Sequence, residues 1–156
     1  MIDFIIKSRY RKLIDTSKLE RAVNAVFDHI KPNPQPGISV KITDGVEIRR
    51  LNKQYRGYDE STDVLSFNNE FIDLETGEQY LGDIVISYPT AKFQAEVDNH
   101  TVNDELELLV IHGCLHLFGY DHASEVDQKS MEELQKKLLF GLNNPIINIG
   151  DSAHGT

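Results

Sequence analysis

The chain has 156 residues, 40% hydrophobic and 26% charged, a size and balance that fit one globular domain with a real core and exclude a disordered or fibrous chain. No apolar run approaches the roughly 20 residues that span a bilayer, and the N-terminus has no signal-peptide pattern, so the expectation is a cytoplasmic protein with no membrane partner. A net charge of −9 argues against a general nucleic-acid binder, and the single cysteine, Cys114, cannot form an internal disulfide, as suits reducing surroundings.

Ile2 to Lys7 reads as a strand. Ser17, with Glu20 three residues on, predicts a capping box opening a helix whose apolar stripe is Leu19, Ala22, Val23, Val26, Phe27 and Ile30. Pro32, Pro34, Pro36 and Gly37 end it in a stiff connection, and Ser39 to Thr43 is a short strand. Asp44 and Glu47 open a second helix with Ile48, Leu51 and Tyr55 inward; Arg49, Arg50, Lys53 and Arg56 share its other side over roughly 120°. Asp63–Asn68 and Leu81–Ser87 alternate as strands around a turn at Glu75–Glu78, and Pro89 begins a third helix that runs to about Val97.

Asn103 is the expected cap of a fourth helix, which is apolar nearly all round and therefore central. A fifth helix covers about Val126 to Phe140, with Gly141 as its stop. The order β-α-β-α-β-β-α-α-α predicts a single α+β domain over residues 1–142, with one small mixed sheet packed with helices and a non-periodic, mobile tail over 143–156.

The chemistry concentrates in His112-Gly113-Cys114-Leu115-His116-Leu117-Phe118-Gly119-Tyr120-Asp121-His122. On a helix, His112 and His116 project from neighbouring turns of one face. Gly119 can take the left-handed conformation that ends a helix, and the return brings His122 towards the same point. Three nitrogens with a fourth position open to water make a catalytic zinc site. The spacing is that of the metzincin proteases in every position but one: Gly113 stands where the pattern needs its general-base glutamate. The alternative is that the three histidines merely cap and solvate a helix end. Cys114, roughly 200° round the helix from its two neighbours, is expected to be a buried apolar residue. His29, His100 and His154 lack partners at ligand spacing and read as surface or helix-end residues.

Four blocks, Asn52-Lys53-Gln54-Tyr55-Arg56-Gly57-Tyr58-Asp59, Thr62-Asp63-Val64-Leu65-Ser66-Phe67, Leu81-Gly82-Asp83-Ile84-Val85-Ile86-Ser87 and the histidine block, together resemble the YbeY family from about residue 38 to residue 140. The resemblance implies a single-strand-specific, metal-dependent endoribonuclease, usually with one Zn2+, acting in rRNA processing at the small-subunit 16S 3′ end and in ribosome quality control. Carried over by motif, the metal ligands are His112, His116 and His122, and the catalytic arginine is Arg56. One departure is Asn68-Asn69, where the family usually has a proline after Ser66-Phe67.

In this reading, phosphodiester hydrolysis combines water activated by the metal with an arginine clamp on the phosphoryl oxygens, in preference to attack by the 2′-hydroxyl. Asp121 is a candidate to accept a proton or to orient a ligand histidine, and equally a cap for the turn. Arg49, Arg50 and Lys53 are candidates for RNA contact, and Asp83 for the cleft. The acidic body predicts weak affinity for naked RNA, and the resemblance implies an RNA substrate with no DNA partner. Delivery would then fall to the ribosome, a small-subunit ribosomal protein or an assembly GTPase. A zinc peptidase and a non-catalytic ribosome-assembly factor with a structural metal are the competing classes.

Overall fold

Four strands and five helices follow the expected order, and the computed structural model describes them over residues 1–146. The strands are β1 (Ile2–Ile6), β2 (Gly37–Thr43), β3 (Val64–Ile72) and β4 (Gln79–Ser87), and the sheet order is β1-β2-β4-β3. β1 and β4 flank β2 in parallel, whereas β3 joins β4 as an antiparallel hairpin, so the sheet is mixed. The fold class matches the expectation in full. Asn144 and Ile146, at the start of the expected tail, are buried, and residues 147–156 lie outside the described residues.

Strand alternation divides the core in two. Ile38, Val40, Ile42, Val64, Ile84 and Ile86 face α1 (Thr16–Ile30) and α4 (Val102–Leu117) in the main cluster. Leu65 and Val85 point the other way, where Ile48 of α2 (Gly45–Arg56) covers them with Leu51 and Phe67 beside it. α3 (Tyr88–Asp98) and α5 (Glu125–Gly141) complete the shell. Nearly every residue of α4 is buried, including Asp104, Glu105 and Glu107. Those carboxylates are matched: Lys18 pairs with Asp104, His100 with Glu105 at 2.6 Å and Arg21 with Glu107 at 3.0 Å. An all-round buried helix is the rigid support that an open site needs.

Two caps differ from expectation. α1 is capped by Asp15, whose side chain accepts from the Ser17 and Lys18 amides, because a carboxylate two residues earlier reaches the free N–H groups first. α4 is capped by Thr101, while Asn103 turns outward to bond the Asp15 amide and the Leu13 carbonyl, tying the start of α1 to α4. Asp44 caps α2 as expected, accepting from the Glu47 amide at 2.9 Å. Glu47 itself bonds Thr43 and Lys41.

Candidate metal centre

The site is built at the C-terminal end of α4. His112 and His116 stand one turn apart there, with ring centroids 4.6 Å apart. The helix then closes in a Schellman motif: Tyr120 N–H donates to the Leu115 carbonyl at 3.1 Å and Gly119 N–H to that of His116 at 3.0 Å. Gly119 sits at φ 96°, a conformation that disfavours any residue with a Cβ. The chain doubles back and delivers His122, whose ring lies 5.1 Å from that of His116 and 5.9 Å from that of His112. One ligand nitrogen from each histidine falls within 4.8 Å of the others.

The burial is graded: His112 is buried, His116 half-buried and His122 exposed, so the triad opens to solvent on one side. His112 Nε2 and His116 Nε2 are 3.0 Å apart. Two nitrogens on one tetrahedral zinc stand about 3.3 Å apart, so this edge is close to ligand spacing with little movement. The negative end of the α4 dipole points at the same place and favours a cation. The donor set, three imidazoles with one open side, therefore fits a divalent metal.

A partner that sequence reading missed orients the first histidine of the triad. Gln135 of α5, 1% exposed, accepts a hydrogen bond from His112 Nδ1 at 2.7 Å. The available signal was its position between Met131 and Leu139, one polar residue in a stripe of period four.

Two β3 residues, also missed, hold α4 to the sheet. Ser66 Oγ donates to the Gly113 carbonyl and Asn68 Nδ2 to the Leu117 carbonyl, each at 3.0 Å. The departure at Asn68 thus leaves the strand intact and anchors the end of the histidine helix; the register shift comes after it, between Asn68 and Phe71. Gly113 faces the sheet, and a Cβ there would lie 2.7 Å from Ile84 Cγ2 and 3.1 Å from Ser66 Oγ. The position that carries the base in the protease pattern has no room for a side chain.

The basic candidates lie on α2, and Asp121 lies in the loop after α4. Arg56 ends α2, on the opposite face of the sheet from α4, with its guanidinium 5.5 Å over the Tyr58 ring. Arg49 and Lys53 both pair with exposed Asp59, at 2.8 and 3.9 Å, and Arg50 reaches Glu47 at 3.7 Å. The Asp59 hydrogen bond holds Arg49 above its ordinary pKa. Asp121 is exposed and accepts from the Ala123 amide at 3.2 Å, which is the turn-capping alternative. Cys114 is fully buried, and burial pushes its thiol up to about 12, so it is an apolar core residue.

His29 is exposed in the last turn of α1, whereas His100 has a partner after all, buried Glu105. His154 lies outside the described residues. Asp83 accepts from the Tyr80 hydroxyl and lines a cleft of about 700 Å³ with Lys41, Leu51, Tyr55, Phe67 and Asn69, on the α2 side of the sheet.

An α+β domain whose central helix ends in three converging histidines belongs among folds with a potential metal centre. The family model for Endoribonuclease YbeY matches residues 5–143. A Bacillus cereus protein named Endoribonuclease YbeY is 40% identical over 91% of this chain and 97% of its own length. One of the same name from Caldanaerobacter subterraneus subsp. tengcongensis is 41% identical over 88% of this chain and 96% of its own. Another, from Gloeobacter violaceus, is 47% identical over 68% of this chain, and the match spans 57% of that protein. The solution structure of a Thermotoga maritima protein superposes with a TM-score of 0.58 at 25% identity, covering 98% of this chain and 99% of that one. The chain belongs to the YbeY family of endoribonucleases.

Among the described residues no helix is long and apolar enough to cross a membrane.

Proposed function

We propose that this protein is a single-strand-specific endoribonuclease of rRNA processing, acting at the 16S 3′ end and in ribosome quality control, with one Zn2+ held by His112, His116 and His122. The observation that carries the reading is the convergence of three ligand nitrogens within 4.8 Å on an open face, in a chain of this family. When bound there, the metal supplies a Lewis acid for a phosphoryl oxygen and a source of hydroxide near neutral pH.

The chain's own residues do the rest. His112 and His116 are preset by helix geometry, and His122 by the Gly119 turn. Arg56 grips the phosphodiester: a guanidinium donates to two non-bridging oxygens at once and stabilises the charge that builds on them. Asp121, next to His122, is the candidate proton acceptor, tested by Asp121→Asn. Arg49, Arg50 and Lys53 extend a basic rim beside Arg56, weakened by Asp59 and Glu47. The cleft supports a single-stranded substrate, because exposed Tyr55 and half-buried Phe67, ring centroids 5.4 Å apart, offer faces on which unpaired bases stack.

The net charge of −9 supports delivery of the RNA by a ribosomal protein or an assembly GTPase, and a cytoplasmic setting follows from that substrate. The functional domain is proposed as residues 1–142. The lack of space at Gly113 for the base that the protease pattern needs weighs against the peptidase alternative.

The deciding experiment compares cleavage of matched single-stranded RNA and DNA oligonucleotides by wild type, His116→Ala and Arg56→Ala. RNA-only cleavage lost in both variants is the expected result. Equal cleavage by all three would mean a contaminating nuclease and overturn the reading. A 2′,3′-cyclic phosphate on the product would replace hydrolysis by attack of the 2′-hydroxyl.

A further inference from the structure

We infer that Gln135 is a positioning residue that locks His112 into the tautomer whose free lone pair faces the triad. The inference rests on the metal reading above for its purpose, and on geometry alone for its content. An amide oxygen only accepts, so the 2.7 Å contact from Gln135 Oε1 requires the proton on His112 Nδ1. A neutral imidazole protonated there carries its lone pair on Nε2, which lies 3.0 Å from His116 Nε2. Nε2 therefore points into the ligand cluster while Nδ1 points into the core.

The surroundings leave this pair little freedom. His112 is 5% exposed and Gln135 1%, so water does not compete for either side of the bond. Gln135 continues the buried stripe of Met131 and Leu139 on α5, where leucine or methionine would pack without a polar atom to satisfy. Exchange of the His112 proton to Nε2 would leave Gln135 Oε1 without its donor and turn an N–H towards the triad, closing the site. A hydrogen bond to the non-ligating nitrogen is the usual device for fixing a metal-binding histidine. Here it comes from a helix 23 residues away in sequence, which gives α5 a role in the site although it carries no ligand.

The test uses the full chain in two arms. In the metal-free protein above about pH 8, where free imidazoles are neutral, ring 15N NMR reads the His112 tautomer. Wild type is expected to show Nδ1–H, and Gln135→Met to shift towards Nε2–H. In the second arm, Zn2+ and Co2+ affinities are measured by chelator competition. Gln135→Met is expected to weaken them 10- to 100-fold, roughly the usual cost of losing such a partner. Gln135→Glu, whose carboxylate accepts from the same N–H, is expected to stay within a few-fold of wild type. Thermal melts of the metal-free variants establish that they fold. An Nε2–H tautomer in wild type overturns the inference, as does a folded Gln135→Met with unchanged tautomer and affinity. A wild type with the Nδ1–H tautomer that takes up neither metal supports the Gln135 assignment and overturns the metal reading instead.

Discussion

A Cβ placed on Gly113 would stand 2.7 Å from Cγ2 of Ile84, inside the contact distance of any two carbons. The central helix lies that close to the sheet because a glycine lets it, and the Ser66 bond to the Gly113 carbonyl fixes the approach. Restoring the protease pattern with Gly113→Glu would force a carboxylate into this seam and is expected to prevent folding. Gly113→Ala should cost about 1–3 kcal/mol by overpacking, although alanine favours a helix by about 1 kcal/mol. Urea unfolding of the alanine variant checks this; a more stable variant would mean the seam can open.

Arg56 is exposed, so its loss should leave the fold within about 0.5 kcal/mol of wild type. On the clamp reading, Arg56→Ala should lower kcat/KM for RNA by about 10²- to 10³-fold, the usual scale for one oxyanion donor. Arg56→Lys should recover only part of this, because a point charge cannot grip two oxygens. Steady-state kinetics beside thermal melts separates the two effects, and a loss of activity that tracks a loss of stability would argue against a clamp.

The triad is preformed on a folded scaffold, so removing the metal should lower stability without unfolding the chain. A ligand at 100 times its Kd stabilises by about 2.7 kcal/mol, which at this size is a Tm difference of roughly 5–10 °C. Scanning calorimetry with and without chelator measures it. His116→Ala should show no chelator effect; an equal effect in that variant would place the metal elsewhere.

Cys114 gives a pH signature. Burial raises its thiol from 9.0 in the unfolded chain to about 12 in the fold. The neutral form is favoured by folding, so stability is intact below pH 9.0 and falls as pH rises from there towards 12. The slope is about 1.4 kcal/mol per pH unit, or about 2 kcal/mol by pH 10.5. Cys114→Ala should lose this alkaline decline; urea midpoints at several pH values would reveal an unchanged slope if the thiol is not its source.

The parts of the site that were legible in the sequence are local. His112, His116, Gly119 and His122 lie within one helix end and its turn, where helical period and a left-handed glycine dictate proximity. Gln135 was not legible, because its meaning depends on α5 packing against α4. Gly113 read only as a missing glutamate, since the atom that excludes a side chain belongs to Ile84 on β4, distant in sequence from the helix. Arg56 stood out by resemblance alone; periodicity makes it one of four basic residues on a solvated face. The helix starts misled where capping residues crowd together: Asp15, Thr16 and Ser17 are consecutive, and Thr101 and Asn103 are two apart.

Consecutive residues of β3 serve opposite sides of the molecule. Leu65 and Phe67 meet α2, the helix that ends in Arg56, while Ser66 and Asn68 hold the carbonyls of the histidine helix. Tolerance to insertion should therefore be lopsided along this one strand. An extra residue at the Asp73–Gly77 tip lengthens a solvated turn. The same residue inserted between Leu65 and Asn68 would exchange the two sets of side chains, detaching both helices from the strand that spaces them.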